Sequence, residues 1–527
     1  MFFLKKNKKD LFSFKNKKDY INIEYVSKYY YNRLKHEQNS YNIITDDIAE
    51  DVDFNDVFKK IDRTISKIGQ QYFYYKLRII KSNINELKKF SSLVTLMREN
   101  KEIQNYCITK LSVLNSDNNY LFEDLFNNKI HYNTNILIVS IIINIISVSI
   151  IISAFFNVGF IILLIPLYFI NVILHYRNKP LINYYLTSIS EFSKAIKVAK
   201  KLSSIIEIKN HFTDFEFLNK LSKIKKKISF INFENYLKDN ILSIIWLIIE
   251  LIKMLFNIEV IVFFSLTRNI NKYNNEMNKL FTFIGEIDAS ISVATLYNCK
   301  YNICNPIFNN KKSISFKNIY HPLIDNCVTN SLTLNNKSLL LTGSNMSGKT
   351  TFIRTIALNS IFAQTINITF ADYYNAPFFK LITSIRSQDN INTNTSYYLD
   401  EVLSIKKIIN TTNEDAPHLF ILDEIFKGTN TLERIAIGKS ILSYINNNNN
   451  IIFVSTHDIE LAEFLYKNNY ELYHFSENII KEKLIFDHKI KKGKLVNSNA
   501  IKILDLHNYP KEIIINAEKF VKKNISP

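Results

Sequence analysis

Residues 338–358 read SLLLTGSNMSGKTTFIRTIAL. An apolar run, Ser338-Leu339-Leu340-Leu341, leads into a glycine-bearing turn, and a helix-forming stretch follows. Inside it, Gly343-Ser344-Asn345-Met346-Ser347-Gly348-Lys349-Thr350 satisfies G-x-x-x-x-G-K-S/T between a strand and a helix, the context a phosphate-binding loop requires. The chemistry follows from the residue types. Gly343 and Gly348 let backbone N–H groups curl around phosphates, and the helix N-terminus adds its partial positive charge. Lys349 is expected to reach the β/γ-phosphates, and the Thr350 hydroxyl to ligate Mg²⁺. Ser344, Asn345, Met346, Ser347 and Thr351 complete the expected phosphate-binding set.

Working downstream, His418-Leu419-Phe420-Ile421-Leu422-Asp423-Glu424 is an apolar strand ending in two carboxylates. Beside a phosphate loop this is the Walker B pattern. Asp423 is expected to hold the metal, and Glu424 to polarise the attacking water as general base. A further strand, Ile451-Ile452-Phe453-Val454-Ser455-Thr456, ends at His457, where an imidazole can contact the γ-phosphate. Short apolar runs alternating with amphipathic helices from about 305 onward predict an α/β layer with parallel strands. ATP and Mg²⁺ are the expected cofactors.

Beyond the generic loop, the wording becomes specific. Thr342-Gly343-Ser344-Asn345-Met346-Ser347-Gly348-Lys349-Thr350-Thr351 resembles TGPNMxGKST, the loop of the MutS family of mismatch-repair ATPases. Asp423 to Thr431 resembles the family's DEIGRGTST, Ser455-Thr456-His457 its ATH, and Ser396 to Glu401 its STFMxE signature. His321-Pro322 and Pro510 to Ile514 resemble segments near the start and end of its ATPase domain. Upstream, Ile61-Asp62-Arg63-Thr64 with Gly69 is similar to LDRTxTxxG, and Gly285 to Ser290 to the segment closing the lever helices. The resemblance thus runs from about 50 to 520. It implies that Ser396 touches nucleotide bound by the other subunit of a homodimer, that His488 lies beside the adenine, and that DNA is a partner. Three departures stand out. Ser344 replaces a Pro, Ser347 a Gly, and Asn394 the usual signature Gly. The last is expected to affect hydrolysis more than binding. No segment before residue 50 is expected to hold a mismatch-reading domain.

The opposite half of the chain reads differently. Residues 136–156, ILIVSIIINIISVSIIISAFF, carry no charge and would span about 31 Å as a helix, close to the hydrocarbon thickness. Asn157-Val158-Gly159 follows, then the uncharged run 160–174, in which Pro166 is expected to introduce a kink. The pair predicts a transmembrane hairpin. Lys and Arg precede it and follow it at Arg177 and Lys179, with none at the tip, so both ends are expected on the cytoplasmic side. A third apolar stretch, Ile241–Leu266, contains Glu250, Lys253, Asn257 and Glu259, and a third span would reverse the topology. It is expected to form one long packed helix.

Composition bounds the rest. The 527 residues carry 66 Lys+Arg against 48 Asp+Glu, a net charge of +18, four Cys and only eight Gly. Hydrophobic content of 47% excludes wholesale disorder, and four Cys with no CxxC exclude a disulfide scaffold or a Cys-based zinc site. The basic clusters at 1–20, Lys200-Lys201 and Lys225-Lys226-Lys227 could meet phosphates, or serve as solvated faces.

The expected fold class is α+β multidomain: an all-α helical core and lever region with a transmembrane hairpin, then an α/β P-loop (ABC-type) ATPase domain. The expected division is a basic tail 1–20, helical core 21–130, hairpin 131–180 (136–156 and 160–174), core and levers 181–300, and ATPase domain 301–527. The function expected is a MutS-related ATPase driving a dimeric clamp on DNA. It would be anchored in the inner (cytoplasmic) membrane with tail and ATPase domain in the cytoplasm. The alternatives are a transporter-type membrane ATPase, or an ATP-binding switch without DNA.

Overall fold

The computed structural model describes residues 21–127, 134–223, 272–299, 301–344, 347–385, 397–412, 416–426, 429–447, 449–480, 483–494, 504 and 509–525, with part of 252–263. The tail 1–20, Lys225-Lys226-Lys227, Asn345, Met346, Asn394, Ser396 and Gly428 lie outside the described residues. The chain divides into two units. One comprises Met1–Gln38, Asp62–Tyr75 and Lys89–Leu296, the other Asn39–Ile61, Lys76–Lys88 and Tyr297–Pro527.

Among the described residues of the first unit, every regular element is a helix. Its centre is the crossing of helices Lys67–Arg78 and Asn274–Tyr297, where two glycines make close approach possible. A Cβ on Gly69 would lie 2.0 Å from Asp288 Oδ2, and one on Gly285 would lie 2.3 Å from the Tyr72 ring. Each glycine therefore seats a side chain of the opposite helix. Asp288 is fully buried and accepts from the backbone N–H groups of Ile65 (2.8 Å) and Ser66 (2.7 Å) and from the Ser66 hydroxyl (2.6 Å). Burial pushes its carboxyl up to about 6, against those hydrogen bonds. Asp62 does similar work locally, accepting from the Thr64 N–H and hydroxyl and from Gln70 Nε2. The two segments singled out in the sequence, 61–69 and 285–290, are thus the two halves of one joint. Stacked rings extend this core, among them Tyr29 on Phe281 at 4.1 Å.

The apolar runs form helices Thr134–Ala154 and Leu164–Leu202, joined through a short 3₁₀ segment, Val158–Leu163. Asn157 Oδ1 accepts from Gly159 N–H (2.9 Å) and shapes the turn. Two stretches, Asn135–Ala154 and Val158–Pro180, have mean hydropathies of 2.8 and 2.3, and only 17% and 11% of them is buried. Both are long and apolar enough to cross a membrane. Asn274–Tyr297 also meets that length and composition, but 78% of it is buried, as a core helix requires. Pro166 occupies the first turn of its helix, where the missing N–H has no intrahelical partner to lose, just after the run passes from 3₁₀ to α. Lys200 and Lys201 lie in the last turn of the same helix, where cations complement the dipole. The stretch 241–266 departs from the expected single helix. Its described residues turn at Phe256 and Asn257, and Asn257 adopts the left-handed conformation (φ 46°).

The second unit is built on a six-stranded sheet. Its strands are β1 (Ser338–Thr342), β2 (Lys380–Ser384), β3 (His418–Asp423), β4 (Ile451–Ser455), β5 (Tyr470–His474) and β6 (Lys491–Lys492). Their order is β6-β5-β1-β4-β3-β2, parallel except for β6. β1 and β4 are buried at every position, as strands covered on both faces must be. Helix Lys349–Ile366 is almost wholly buried. A four-stranded sheet of Ile307–Phe308, Tyr373–Ala376, Ser313–Ile319 and Asn330–Asn335 adds a second layer.

Residues 39–61 and 76–88 belong to this sheet-bearing unit, although the chain order sets them among the helices. Specific side chains tie them there. Asp51 Oδ2 accepts from Thr383 Oγ1 (2.6 Å) and Ile385 N–H (3.2 Å), which attaches the segment to edge strand β2. Asp53 pairs with Arg354 at 2.8 Å. Arg78, fully buried, donates to Ile44 O and pairs with Asp46. Covering a sheet edge in this way satisfies backbone groups that would otherwise offer a pairing template.

Candidate functional site

The parallel pairing of β1, β4 and β3 sets the site. Register aligns Leu341 with Ser455 and Ser455 with Asp423, so three strands end along one sheet edge. That edge, at the carboxyl ends of parallel strands, is where open α/β sheets bind ligands.

β1 ends at Thr342, and the chain then takes the left-handed region at both loop glycines, Gly343 (φ 146°) and Gly348 (φ 105°). A side chain at either would be strained, and a Cβ on Gly343 would approach Phe475 O to 2.9 Å. Gly348 N-caps helix Lys349–Ile366, whose first residues are Lys349, Thr350 and Thr351. The Lys349 ammonium is buried and donates to the carbonyls of Gly343 (2.7 Å) and Ser344 (2.9 Å). Ser347 Oγ donates to Ser344 O (2.7 Å), a local bond that a Gly there could not make.

Thr350 Oγ1 donates to Asp423 Oδ2 at 2.7 Å, so the two expected Mg²⁺ ligands stand side by side. The other oxygen of Asp423 accepts from the Ser455 hydroxyl. One hydroxyl and one carboxylate fit Mg²⁺, which keeps most of its shell for water and phosphate oxygens. Among the described residues no group of three His, Cys, Asp or Glu side chains forms a dedicated metal cage.

Glu424 follows directly and holds a left-handed backbone (φ 50°), rare for a side chain with a Cβ. Its N–H donates to Ser455 O (2.9 Å), which fixes the turn against β4. Its Oε1 lies 2.7 Å from His457 Nε2, and that same nitrogen lies 3.3 Å from Lys349 Nζ. With its proton on Nε2, the imidazole donates to Glu424. The sheet edge therefore brings Lys349, Thr350, Asp423, Glu424 and His457 together from three separate segments. His488 comes from a fourth: its Nδ1 lies 3.0 Å from Ser347 O, and its own carbonyl accepts from Asn330 Nδ2 (3.0 Å). It is therefore held against the loop backbone. Asn345, Met346 and Ser396 lie outside the described residues.

Sequence reasoning missed three contributors. Ser455 supplies the hydroxyl on Asp423. Glu477 accepts from the Ser344 hydroxyl at the loop itself. Arg434 pairs with Asp458 through two nitrogens (2.9 and 2.7 Å), joining helix Thr431–Ile445 to the segment after His457. Ser455 carried a signal, since its register with Asp423 follows from parallel pairing. Glu477 carried none.

The family model for MutS domain V matches residues 339–524. The DNA mismatch repair protein MutS of Staphylococcus haemolyticus is 30% identical over 277 residues, covering 50% of this chain and 31% of that protein. The proteins of that name from Staphylococcus epidermidis and Staphylococcus aureus are each 30% identical over 271 residues, covering 49% of this chain and 30% of theirs. The chain spans about a third of the length of these relatives. Its motifs meet at one sheet edge inside the segment that the domain V model matches, and over that segment the chain is similar to MutS proteins.

Proposed function

We propose that this chain is an ATP-hydrolysing member of the MutS family, anchored in a membrane by its apolar hairpin and acting on DNA as a homodimer. The observation that carries the reading is the convergence of Lys349, Thr350, Asp423, Glu424 and His457 at the carboxyl ends of three parallel strands. The loop N–H groups and Lys349 would bind the phosphates, drawing the ammonium from the carbonyls it now meets. Mg²⁺, held by Thr350 and Asp423, would neutralise developing charge on the phosphoryl oxygens. Glu424 would take the proton of the attacking water, and His457 would orient that carboxylate through their 2.7 Å contact.

DNA enters the proposal through the relatives, which are named as DNA mismatch repair proteins. Phosphate contacts of exposed lysines would make such binding independent of sequence and weaker in salt. The hairpin supports a membrane location because its two apolar helices leave most of their surface uncovered by protein. The uncharged tip and the Arg177 and Lys179 flank favour the sheet-bearing unit on the cytoplasmic face.

The test is ATP turnover by the purified protein against the Glu424→Gln variant. Turnover should fall by about 100-fold or more while nucleotide binding persists. Turnover equal in the two proteins would remove Glu424 from the chemistry. Duplex DNA retarded at low salt and released at high salt would support the nucleic-acid part, and no retardation at low salt would sink it.

A further inference from the structure

His457 meets Glu424 across the sheet edge, yet its side chain is 42% exposed, so packing alone does not aim the ring. The backbone must do so. On one side the Thr456 N–H donates to Leu341 O at 3.0 Å, which ties the end of β4 to β1. On the other side the Asp458 N–H donates to Thr456 Oγ1 at 3.1 Å and closes a turn around His457. Helix Ile459–Tyr466 follows directly.

Asp458 is the N-cap of that helix, a place where an aspartate ordinarily accepts from the first free N–H groups. It makes no such bond. Both of its oxygens go to Arg434 instead, Oδ2 accepting from Nε at 2.9 Å and Oδ1 from Nη2 at 2.7 Å. Two parallel bonds from a planar guanidinium fix the plane of a carboxylate as well as its place. The two side chains are only 26% and 15% exposed, so water competes for them less than for a surface pair. Arg434 lies in the first turn of helix Thr431–Ile445, the helix that follows the Glu424 turn. One turn further on, Gly438 faces Ile425, the residue after Glu424, and Leu461 of the helix after His457. Helix Thr431–Ile445 therefore meets both the turn that bears Glu424 and the segment that bears His457.

We infer that Arg434 is a positioning residue of the hydrolysis site: through Asp458 it holds His457 at hydrogen-bonding distance from Glu424. The inference rests on the ATPase reading above, to which it adds a residue outside the phosphate loop and the Walker B strand. The reason is geometric. A hydrogen bond weakens steeply once its distance or angle leaves a narrow range. Glu424 is anchored to β4, its N–H donating to Ser455 O at 2.9 Å. His457 stands two residues past that carbonyl, so the freedom left in their contact lies in the backbone at 457 and 458. The Arg434–Asp458 pair removes that freedom. An aspartate that capped its own helix would stabilise the helix and leave the turn able to pivot about Thr456. Here the cap is left unfilled and the carboxylate makes a fixed link to the helix after Glu424, which is what setting the position of His457 requires.

The test measures ATP turnover by the full chain in detergent micelles, with nucleotide affinity read by a fluorescent ATP analogue. The proteins are the wild type, Glu424→Gln, Arg434→Gln, Arg434→Lys, Asp458→Asn and the double variant Arg434→Gln with Asp458→Asn. Arg434→Gln and Asp458→Asn should each lower kcat about tenfold or more, while the nucleotide Kd stays within about twofold because the phosphate loop is untouched. The double variant should lose no more than the worse single, since one residue acts through the other. Arg434→Lys keeps the charge and loses the fork, so it should recover part of kcat. Losses that multiply in the double variant would mean that the two residues act separately, and would overturn the inference. A fall in kcat matched by an equal loss of nucleotide affinity would overturn it too, as the mark of a merely structural pair. Turnover lost in Glu424→Gln but kept within about twofold in Arg434→Gln would defeat the inference alone. Wild-type turnover no higher than that of Glu424→Gln would defeat the ATPase reading, and the inference with it.

Discussion

The two units bury charge for opposite purposes. In the helical unit, Asp288 is sealed from solvent and surrounded by donors from residues 65 and 66, where it joins two helices. In the sheet-bearing unit, Asp423 sits partly exposed at a strand end and is shared between two hydroxyls, Thr350 and Ser455. Both carboxylates sit in segments whose wording resembles a family motif. Burial separates their work, because a sealed carboxylate can serve packing while one open to ligand can hold a cation. A motif residue is not thereby a site residue.

The sharpest way to break the comparison is to remove each carboxylate in turn. Asp423→Asn should lower ATP turnover by about 100-fold and leave the unfolding transition of the helical unit in place. Asp288→Asn should do the reverse, since an amide nitrogen would face donors already committed to a carboxylate. A loss of turnover in Asp288→Asn with unchanged thermal unfolding would mean that the joint serves catalysis rather than packing.

Gly69→Ala tests the same joint sterically. The added methyl would meet Asp288 Oδ2 well inside contact distance, so we expect a loss of about 2–3 kcal/mol in denaturant unfolding. A loss below about 0.5 kcal/mol would show that the helices separate readily.

The units should also respond to pH with opposite signs. Asp288 titrates at about 6 when folded, above its unfolded value of 3.8, because burial disfavours the anion. The folded unit then holds a proton the unfolded chain has released, so this contribution is complete below 3.8 and is lost as pH rises through 6. His321 is lowered from 6.5 to about 4, again by burial. Its neutral form is the folded one, so its contribution is complete above 6.5 and is lost as pH falls through 4. Each shift corresponds to about 3 kcal/mol at the limit. Hydrogen exchange resolved by segment, between pH 4 and 6.5, should show the helical unit weakening and the sheet-bearing unit strengthening as pH rises. Asp288→Asn and His321→Gln should flatten the respective trends.

The smallest effect expected is at Asn430. Its side chain accepts from Glu433 N–H (3.0 Å) and caps helix Thr431–Ile445 just after the Walker B segment. Asn430→Ala should lower stability by about 1 kcal/mol, measured by thermal unfolding.

Much of the site is legible in the order of its residues. Ser338 to Thr350 dictates a strand, a left-handed turn and a helix start, since each local step has one favoured conformation. The hairpin is equally legible, because unbroken apolar runs of that length have few other uses. The fold around the site is less so. Residues 39–61 and 76–88 join the sheet-bearing unit through Asp51, Asp53 and Arg78, whose partners lie hundreds of residues away or within the same displaced segment. No local periodicity records such pairing. The turn at Asn257 is hidden for the same reason. An apolar stretch supports a helix by propensity, and only the carboxamides of Asn144 and Asn171 make a break there tolerable.

The sequence by itself determined the glycine-bearing loop, the paired carboxylates, the apolar hairpin and the resemblance to MutS proteins, because these depend on short-range spacing and residue type. Tertiary structure alone decided that Ser455 and Thr350 share Asp423, that His457 meets Glu424, and that Gly69 seats Asp288. Those relations depend on strand register and helix crossing, where distant residues are brought within about 3 Å by the packing of whole elements rather than by their order in the chain.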